Sequence, residues 1–428
     1  MHTSQITRAS RILISCLTGC VIFLLAASAP QSHVSASSST TSHALRPAIS
    51  TSCPAPGRGR AAVLPSLTLG THQNIVYVTN KVSSSFLPLS GTLKRYDVTT
   101  RSKATIVSLA NQNIASAQVS ADGQWILFVA QSGTSSSPLF KLQLIRMDGQ
   151  FLQTLYCNTA QPSINEPQWS TNRKLIVFYI LSNNTESVDL LNTTTGVVQT
   201  ELSFSTSMLS AVTVRTWLDT TRIYLTNTQT DQPPNIIYIL DTSKGPNQPL
   251  SNLMTVFHGN FSDFDSSYNG SQLFISSCAC GQGGNFGPSS ITVQPATGGQ
   301  AKTLFSPSSD AITSVRAVLP TTLLFTVANF SLGGGGNMID NGLWKMNTNG
   351  TGIARLTTNQ AGQFSGLNNF SQFPWSNVSR NGSMYAVQVA GNQIQALQVG
   401  SLAGGTPKTF ASFTGSGTSL NTVGWTTM

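Results

Sequence analysis

The chain has 428 residues, only 9% of them charged, and a formal net charge of +9 at neutral pH. An ordinary soluble domain carries about 25% charged residues; here neutral Ser, Thr, Asn, Gln and Gly keep the surface wet, a composition that suits an exported protein. Five arginines and no acid fall in the first sixty residues, leaving 18 basic against 14 acidic residues, or +4, over the other 368, and with no Lys/Arg cluster among aromatics there the footprint of a nucleic-acid-binding protein is absent.

Arg8 and Arg11 precede an apolar run at residues 12–29. Its 18 residues lie between the ~7–15 of a signal peptide's apolar core and the ~17–25 of a spanning helix. Residues 1–29 are therefore expected to form a hydrophobic helix, either a signal peptide or a membrane anchor. In both readings the positive flank stays inside and the bulk of the chain crosses the membrane. Within the run, "LTGC" resembles a lipobox and would lipidate Cys20, although the apolar stretch "VIFLLAASA" follows that cysteine instead of a polar tether. Residues 30–61 are rich in Ser, Thr, Pro and Ala. They read as a flexible spacer that buries too little surface to fold.

From residue 62 to 428 a repeat organises the chain. The β-rich runs "IVYVT", "ILFVA", "IVFYI", "IYLT", "LFISS", "LLFTV" and "MYAVQV" begin at Ile75, Ile126, Ile176, Ile223, Leu273, Leu323 and Met384, at offsets of 51, 50, 47, 50, 50 and 61 residues. Several follow a turn and an aromatic residue, among them Trp169, Trp217 and Trp375. Each is then followed by an apolar strand, a polar turn and another strand. Thus "LIRMDGQFLQTLY" at 144–156 returns as "LWKMNTNGTGIARLT" at 343–357. Short strands joined by Asp-Gly, Asn-Gly and Gly-Gly turns are the pattern of antiparallel meanders, and no sustained 3.6-residue apolar stripe follows residue 30. Sheets apolar on both faces must be covered on both, which radial stacking achieves while leaving short edges. The expected fold is all-β: a β-propeller of antiparallel four-stranded blades, seven favoured, six or eight also possible.

The units resemble the TolB-like, WD-repeat-like propeller repeat, whose pattern runs Pro-x-Trp-Ser-Pro-Asp-Gly, an apolar strand, and a hairpin ending in Leu-Thr. The best matches are 167–178 and 343–357, within a resemblance covering residues 75–428. It implies the fold; its motif residues serve turns and core, so it carries over no interaction residue. A TolB protein also implies a small α/β domain ahead of six blades, whereas here a spacer precedes seven units.

"NTVGWTTM" at the C-terminus places Trp425 in the aromatic position of a further unit, while the unit at Ile75 lacks an aromatic strand. Residues 421–427 are expected to complete the first blade and close the ring.

Candidate sites are few. "DFDSSYNGS", from Asp263 to Ser271, has alternating oxygen side chains but neither the glycine position nor the closing Glu of a calcium loop, and aligns with the repeat's turn. Cys53, Cys157, Cys278 and Cys280 are expected to form disulfides outside the cytoplasm, with three pairings open; a zinc site would want four Cys/His ligands, and past the spacer the only histidines are His72 and His258. The Gly-rich segment 331–342 lacks a phosphate loop's Gly-Lys-Ser/Thr ending. Gly333, Gly334, Asn337 and Asp340 there, with Gly281 and Asn285, are read as loops of a binding face. No Gly-x-Ser-x-Gly elbow occurs, and a Ser-His-Asp triad has little raw material. No catalytic residue, metal or cofactor is assigned. The expectation is an extracytoplasmic, tethered or secreted monomer that binds a protein or cell-envelope glycan. The alternative is an envelope hydrolase or lyase with acids in the propeller channel.

Overall fold

Each apolar run of the repeat becomes the second strand of a four-stranded sheet, and its hydrophobicity is continuous because both sheet faces are covered. Trp125, Ile126, Leu127, Phe128, Val129 and Ala130, all buried, illustrate this in the strand Trp125–Thr134. The computed structural model describes residues 49–428 except 86, 135–136, 159–162, 182–184, 206–210, 229–233, 279–287, 308–309, 331–337, 361, 369–370, 372 and 392. Among the described residues the strands form seven antiparallel four-stranded sheets. They are the blades of a propeller: residues 73–110 with the C-terminal strand Thr418–Thr427 (blade 1), then 112–158, 163–205, 211–258, 261–305, 311–355 and 363–414 (blades 2 to 7). Seven clusters of buried apolar side chains fill the spaces between blades, one to each neighbouring pair.

The recurring hairpins are the third and outer strands of their blades. Gly149 and Gly350, in the equivalent Asp-Gly and Asn-Gly turns, have φ of 84° and 89°, a region that glycine enters without strain. A Cβ there would lie 2.6 Å from the Ile106 carbonyl oxygen and 3.0 Å from that of Leu304, respectively. Each oxygen belongs to the outer strand of the preceding blade. The turn glycine thus serves the hairpin and the seating of one blade on the last.

The Ser-x-Asp/Asn turns between inner and second strands also repeat one arrangement. The hydroxyls of Ser120, Ser170, Ser267 and Ser379 donate to the side-chain oxygens of Asp122, Asn172, Asn269 and Asn381 at 2.6–2.9 Å. The same hydroxyls accept the amides of Trp125, Leu175, Gln272 and Met384. These turns and the third-to-outer hairpins lie at one end of the ring, the turn end. The connections from second to third strands, and from each outer strand to the next blade, lie at the opposite loop end.

Ring closure comes from Thr418–Thr427, the inner strand of blade 1, paired antiparallel with Gln73–Val82. Trp425 lies fully buried in the layer between blades 7 and 1, and Val423 in that between blades 1 and 2.

One sequence expectation needs correction. Residues 49–61 were read as part of a flexible spacer, but they form a strap docked on blades 2 and 3. The Cys53–Cys157 disulfide ties the strap to the outer strand of blade 2. Arg60 Nη1 donates to the carbonyls of Ser50, Ser52 and Thr154 at 2.9–3.0 Å, and the amides of Arg60 and Ala62 donate to Leu155 and Thr193. Backbone bonds and one cross-link supply what apolar periodicity does not. The strap continues along the turn end, where the amides of Val63 and Leu67 donate to the side chains of Gln153 and Gln124.

Candidate functional site

Inner strands pair only with second strands, so their other edge presents unpaired peptide groups to the central channel. Such groups are costly if buried without partners. Side chains from the preceding blade meet that need. Gln118 accepts from the Trp169 amide at 2.7 Å, Asp263 from Val315 at 3.0 Å and Asp265 from Ala317 at 2.8 Å.

The same positions build a ladder of alternating charge across four consecutive blades. The charge of Arg215 of blade 4 bears on Glu166 of blade 3, and Arg215 Nη2 donates to Asp263 Oδ1 of blade 5 at 2.9 Å. Arg316 of blade 6, 1% exposed, donates to Asp263 Oδ2. Burial pushes the Asp265 carboxyl up to about 8, despite the nearby Arg316 guanidinium, and Asp263 pushes it the same way. Burial also raises Glu166, with Arg215 opposing. Glu166 has a left-handed φ of 47°, uncommon for a residue other than glycine.

At the turn end of the channel the chain itself covers the inner strands on the side of blades 6, 7, 1 and 2. The inner strand of blade 7, Gln363–Gly366, has only four residues. The chain then leaves the sheet for a 3₁₀ turn, Pro374–Ser376, that touches the inner strands of blades 1, 2 and 6. Trp375 Nε1 donates to the Val119 carbonyl at 2.8 Å, and Ser371 accepts from Gln118, which also bonds Gln168. Arg380 stacks on Trp375 with its guanidinium carbon 4.8 Å from the ring centre, and donates to the carbonyls of Ser120, Ala121 and Trp425. The plug therefore ties blade 7 to both sides of the closure.

Of the residues singled out in the sequence, Cys53 and Cys157 are joined to each other, and Cys278 is also disulfide-bonded. Cys20, Cys280, Gly281, Asn285, Gly333, Gly334 and Asn337 lie outside the described residues, as do residues 1–48 and with them the expected apolar helix. Asp340 lies in the strand Met338–Asn347, opposite Ala328. The connections containing 279–287 and 331–337 both join a second to a third strand, on neighbouring blades 5 and 6, so both leave the ring at its loop end. The sequence reading placed Asp263 and Asp265 in a turn; they are in the inner strand Phe261–Ser266, and only Ser267 to Gly270 make the turn. Among the described residues no helix is long and apolar enough to cross a membrane, and no group of three or more His, Cys, Asp or Glu could hold a metal ion.

No family model and no curated protein matches the chain. Solved structures do. A prolyl endopeptidase matches with a TM-score of 0.55 at 10% identity, over 84% of this chain and 50% of that one. The β-propeller domain of the Trilobed protease from Pyrococcus furiosus matches with 0.52 at 10% identity, over 83% and 96%. TolB from Acinetobacter baumannii matches with 0.41 at 16% identity, over 65% and 62%. The chain thus spans less than two thirds of the TolB chain and half of the endopeptidase. The protease domain is described as having an open velcro topology, whereas here the C-terminal strand closes the first blade. What the chain shares with these proteins is a fold, the β-propeller, here with seven blades.

Proposed function

We propose that the chain is an extracytoplasmic β-propeller, tethered or secreted through its N-terminal segment, that binds a protein or cell-envelope glycan at the loop end of its ring. The observation that carries this reading is the occupation of the turn end by the chain's own strap and plug. A partner of the ring is then left the loop end, to which the second and third strands of the neighbouring blades 5 and 6 lead. The Cys53–Cys157 disulfide supports an oxidising compartment. The hydrolase reading loses support from the same geometry. Both oxygens of Asp263 are committed to arginines and a backbone amide, and Asp265 accepts from the amides of Ser266 and Ala317, so neither carboxylate is placed to move a substrate's proton.

The test is capture of solubilised envelope proteins and wall glycans on the purified chain at micromolar concentration. A saturable partner lost on replacing Asn337 and Asp340 by Ala, but kept when the strap is altered at Gly59, supports the reading. A partner that ignores the loop substitutions, or none retained, overturns it.

A further inference from the structure

At the turn end of blade 1 a cavity of about 150 Å³ is lined by Asn74, Arg95, Asp97, Ser102, Ala104 and Met428. Every strand of the blade contributes to it or leads into it. Asn74 belongs to the second strand, Arg95 and Asp97 to the third, and Ala104 to the outer strand; Met428 follows the closing strand Thr418–Thr427. Cross-strand pairing sets the wall, with Asn74 opposite Asp97 and Arg95 opposite Ala104.

Arg95 is the group in this wall that the fold does not account for. Its guanidinium makes no hydrogen bond or ion pair among the described residues, and its Nη1 is buried. A buried donor without a partner is costly, more so on a charged group, and in a native protein it points to a water or an ion at the site. The carboxylate of the wall is committed elsewhere: Asp97 Oδ2 lies 2.8 Å from His72 Nδ1, and Oδ1 accepts the amides of Thr99 and Thr100 at 2.8 and 3.1 Å. Asn74, 2% exposed, donates one amide N–H to the His72 carbonyl at 2.9 Å and has a second to give. The lining therefore offers N–H and O–H donors around one positive charge that has no partner.

We propose that this cavity binds a small tetrahedral oxyanion of the phosphate or sulfate class, with Arg95 as its cation and Asn74 and Ser102 as further donors. At ~30 Å³ per water the space holds about five waters, and phosphate has as many heavy atoms. The planar guanidinium fork matches two oxygens of such an anion. Asp97 opposes the anion through its charge and sets a limit on affinity. The site goes beyond recognition at the loop end and does not depend on it. Because its wall joins three strands to the residue after the closing strand, a bound anion ties the seam of the ring and stabilises the folded chain by mass action. The oxyanion is the free ion or the phosphoryl group of a larger ligand.

The experiment is calorimetric titration of the full chain, in a buffer free of phosphate and sulfate, with sodium phosphate, sulfate, acetate and chloride at matched ionic strength. Phosphate and sulfate are expected to bind saturably and to raise the melting temperature, with acetate and chloride about tenfold or more weaker. Glycerol phosphate separates the two sources: binding as tight as that of phosphate admits a phosphoryl group on a larger ligand, and weaker binding restricts the site to the free ion. Arg95→Met keeps the apolar stem. It should weaken phosphate about tenfold or more yet melt like the natural chain when no phosphate is present, because the guanidinium bonds nothing there. Ala104→Leu, which fills the cavity and leaves Arg95 in place, should weaken phosphate likewise. Asp97→Asn keeps an acceptor for the turn and removes a negative charge, and should tighten it. No saturation by phosphate, an equal response to chloride, or acetate bound as tightly as phosphate overturns the proposal. So does a phosphate affinity that stays unchanged in both Arg95→Met and Ala104→Leu, which would put the anion elsewhere on the chain.

Discussion

Asp263 is the residue on which the channel wall converges, because its carboxylate accepts from Arg215, Arg316 and the Val315 amide. Replacing it by Ala takes from Arg316, buried at 1% exposure, the carboxylate that its Nη1 bonds. Breaking a buried pair from one side costs about 3–5 kcal/mol, and a urea melt of Asp263→Ala should show a loss of that size. A loss below about 1 kcal/mol would mean that the pair behaves as a surface ion pair. Asp265, two residues on, works through its proton. Its folded value, raised to about 8, lies above the ~3.9 of an unfolded aspartate. The proton therefore stabilises the fold fully below about pH 4, and that contribution is lost as pH rises through about 8. Stability of the natural chain should decline over this window, and Asp265→Asn, which cannot ionise, should flatten the decline in melts at pH 5, 6, 7 and 8. An unchanged slope would show that Asp265 is ionised throughout. Neither role was legible beforehand. The strand Phe261–Ser266 sends Phe264 into the layer between blades 4 and 5 and its aspartates to neighbouring inner strands, so its sequence carries acids beside a turn motif and reads as turn.

At the scale of elements, the strong signals came from positions where local chemistry and the repeat agree. The Ser-x-Asp/Asn turns, the hairpin glycines and the continuous apolar second strands can be read because each depends on a few residues close in sequence. The strap is the opposite case. Its bonds join residues about a hundred positions apart, Cys53 to Cys157 and Arg60 to Thr154, and its composition matches that of a linker. The plug was illegible for the same reason: "FPWSNVSRNG" fits the repeat's turn motif, and only the ring places Trp375 against Val119. If the strap is a fixed part of the fold, removing the Cys53–Cys157 bond should cost about 2–4 kcal/mol. Cys53→Ser should also make residues 49–60 sensitive to limited proteolysis under conditions in which the natural chain is cut only after reduction. Equal resistance would mean that the hydrogen bonds of Arg60 and Ala62 hold the strap unaided. Gly59 offers an independent check. A Cβ there would lie 2.3 Å from Leu191 Cδ1 and 2.5 Å from the Gly196 carbonyl, so Gly59→Val should lift the strap with the disulfide intact and give the same cleavage.

At the scale of the whole molecule, a ring is only as stable as its seam, because every other blade is continuous in sequence while blade 1 is assembled from both ends of the chain. The strand Thr418–Thr427 contributes to two interblade layers, through Trp425 on one side and Val423 on the other. It also accepts from Arg380 of the plug at the Trp425 carbonyl, 2.8 Å away. Its removal therefore strips an inner strand, exposes the edge of Gln73–Val82 and loosens the contacts of blade 1 with blades 7 and 2 together. Trp425→Ala alone should cost about 3–5 kcal/mol, the range for emptying a buried aromatic site. Deletion from Thr418 onward should cost more, lowering the melting temperature by many degrees or abolishing the cooperative transition. A peptide of residues 418–428 supplied in trans separates the seam from a general loss of core. If the strand is the missing part of blade 1, the peptide should bind the truncated chain and restore much of the lost stability, whereas the Trp425→Ala peptide should not. Full stability of the truncated chain without any peptide would mean that the ring does not depend on this seam.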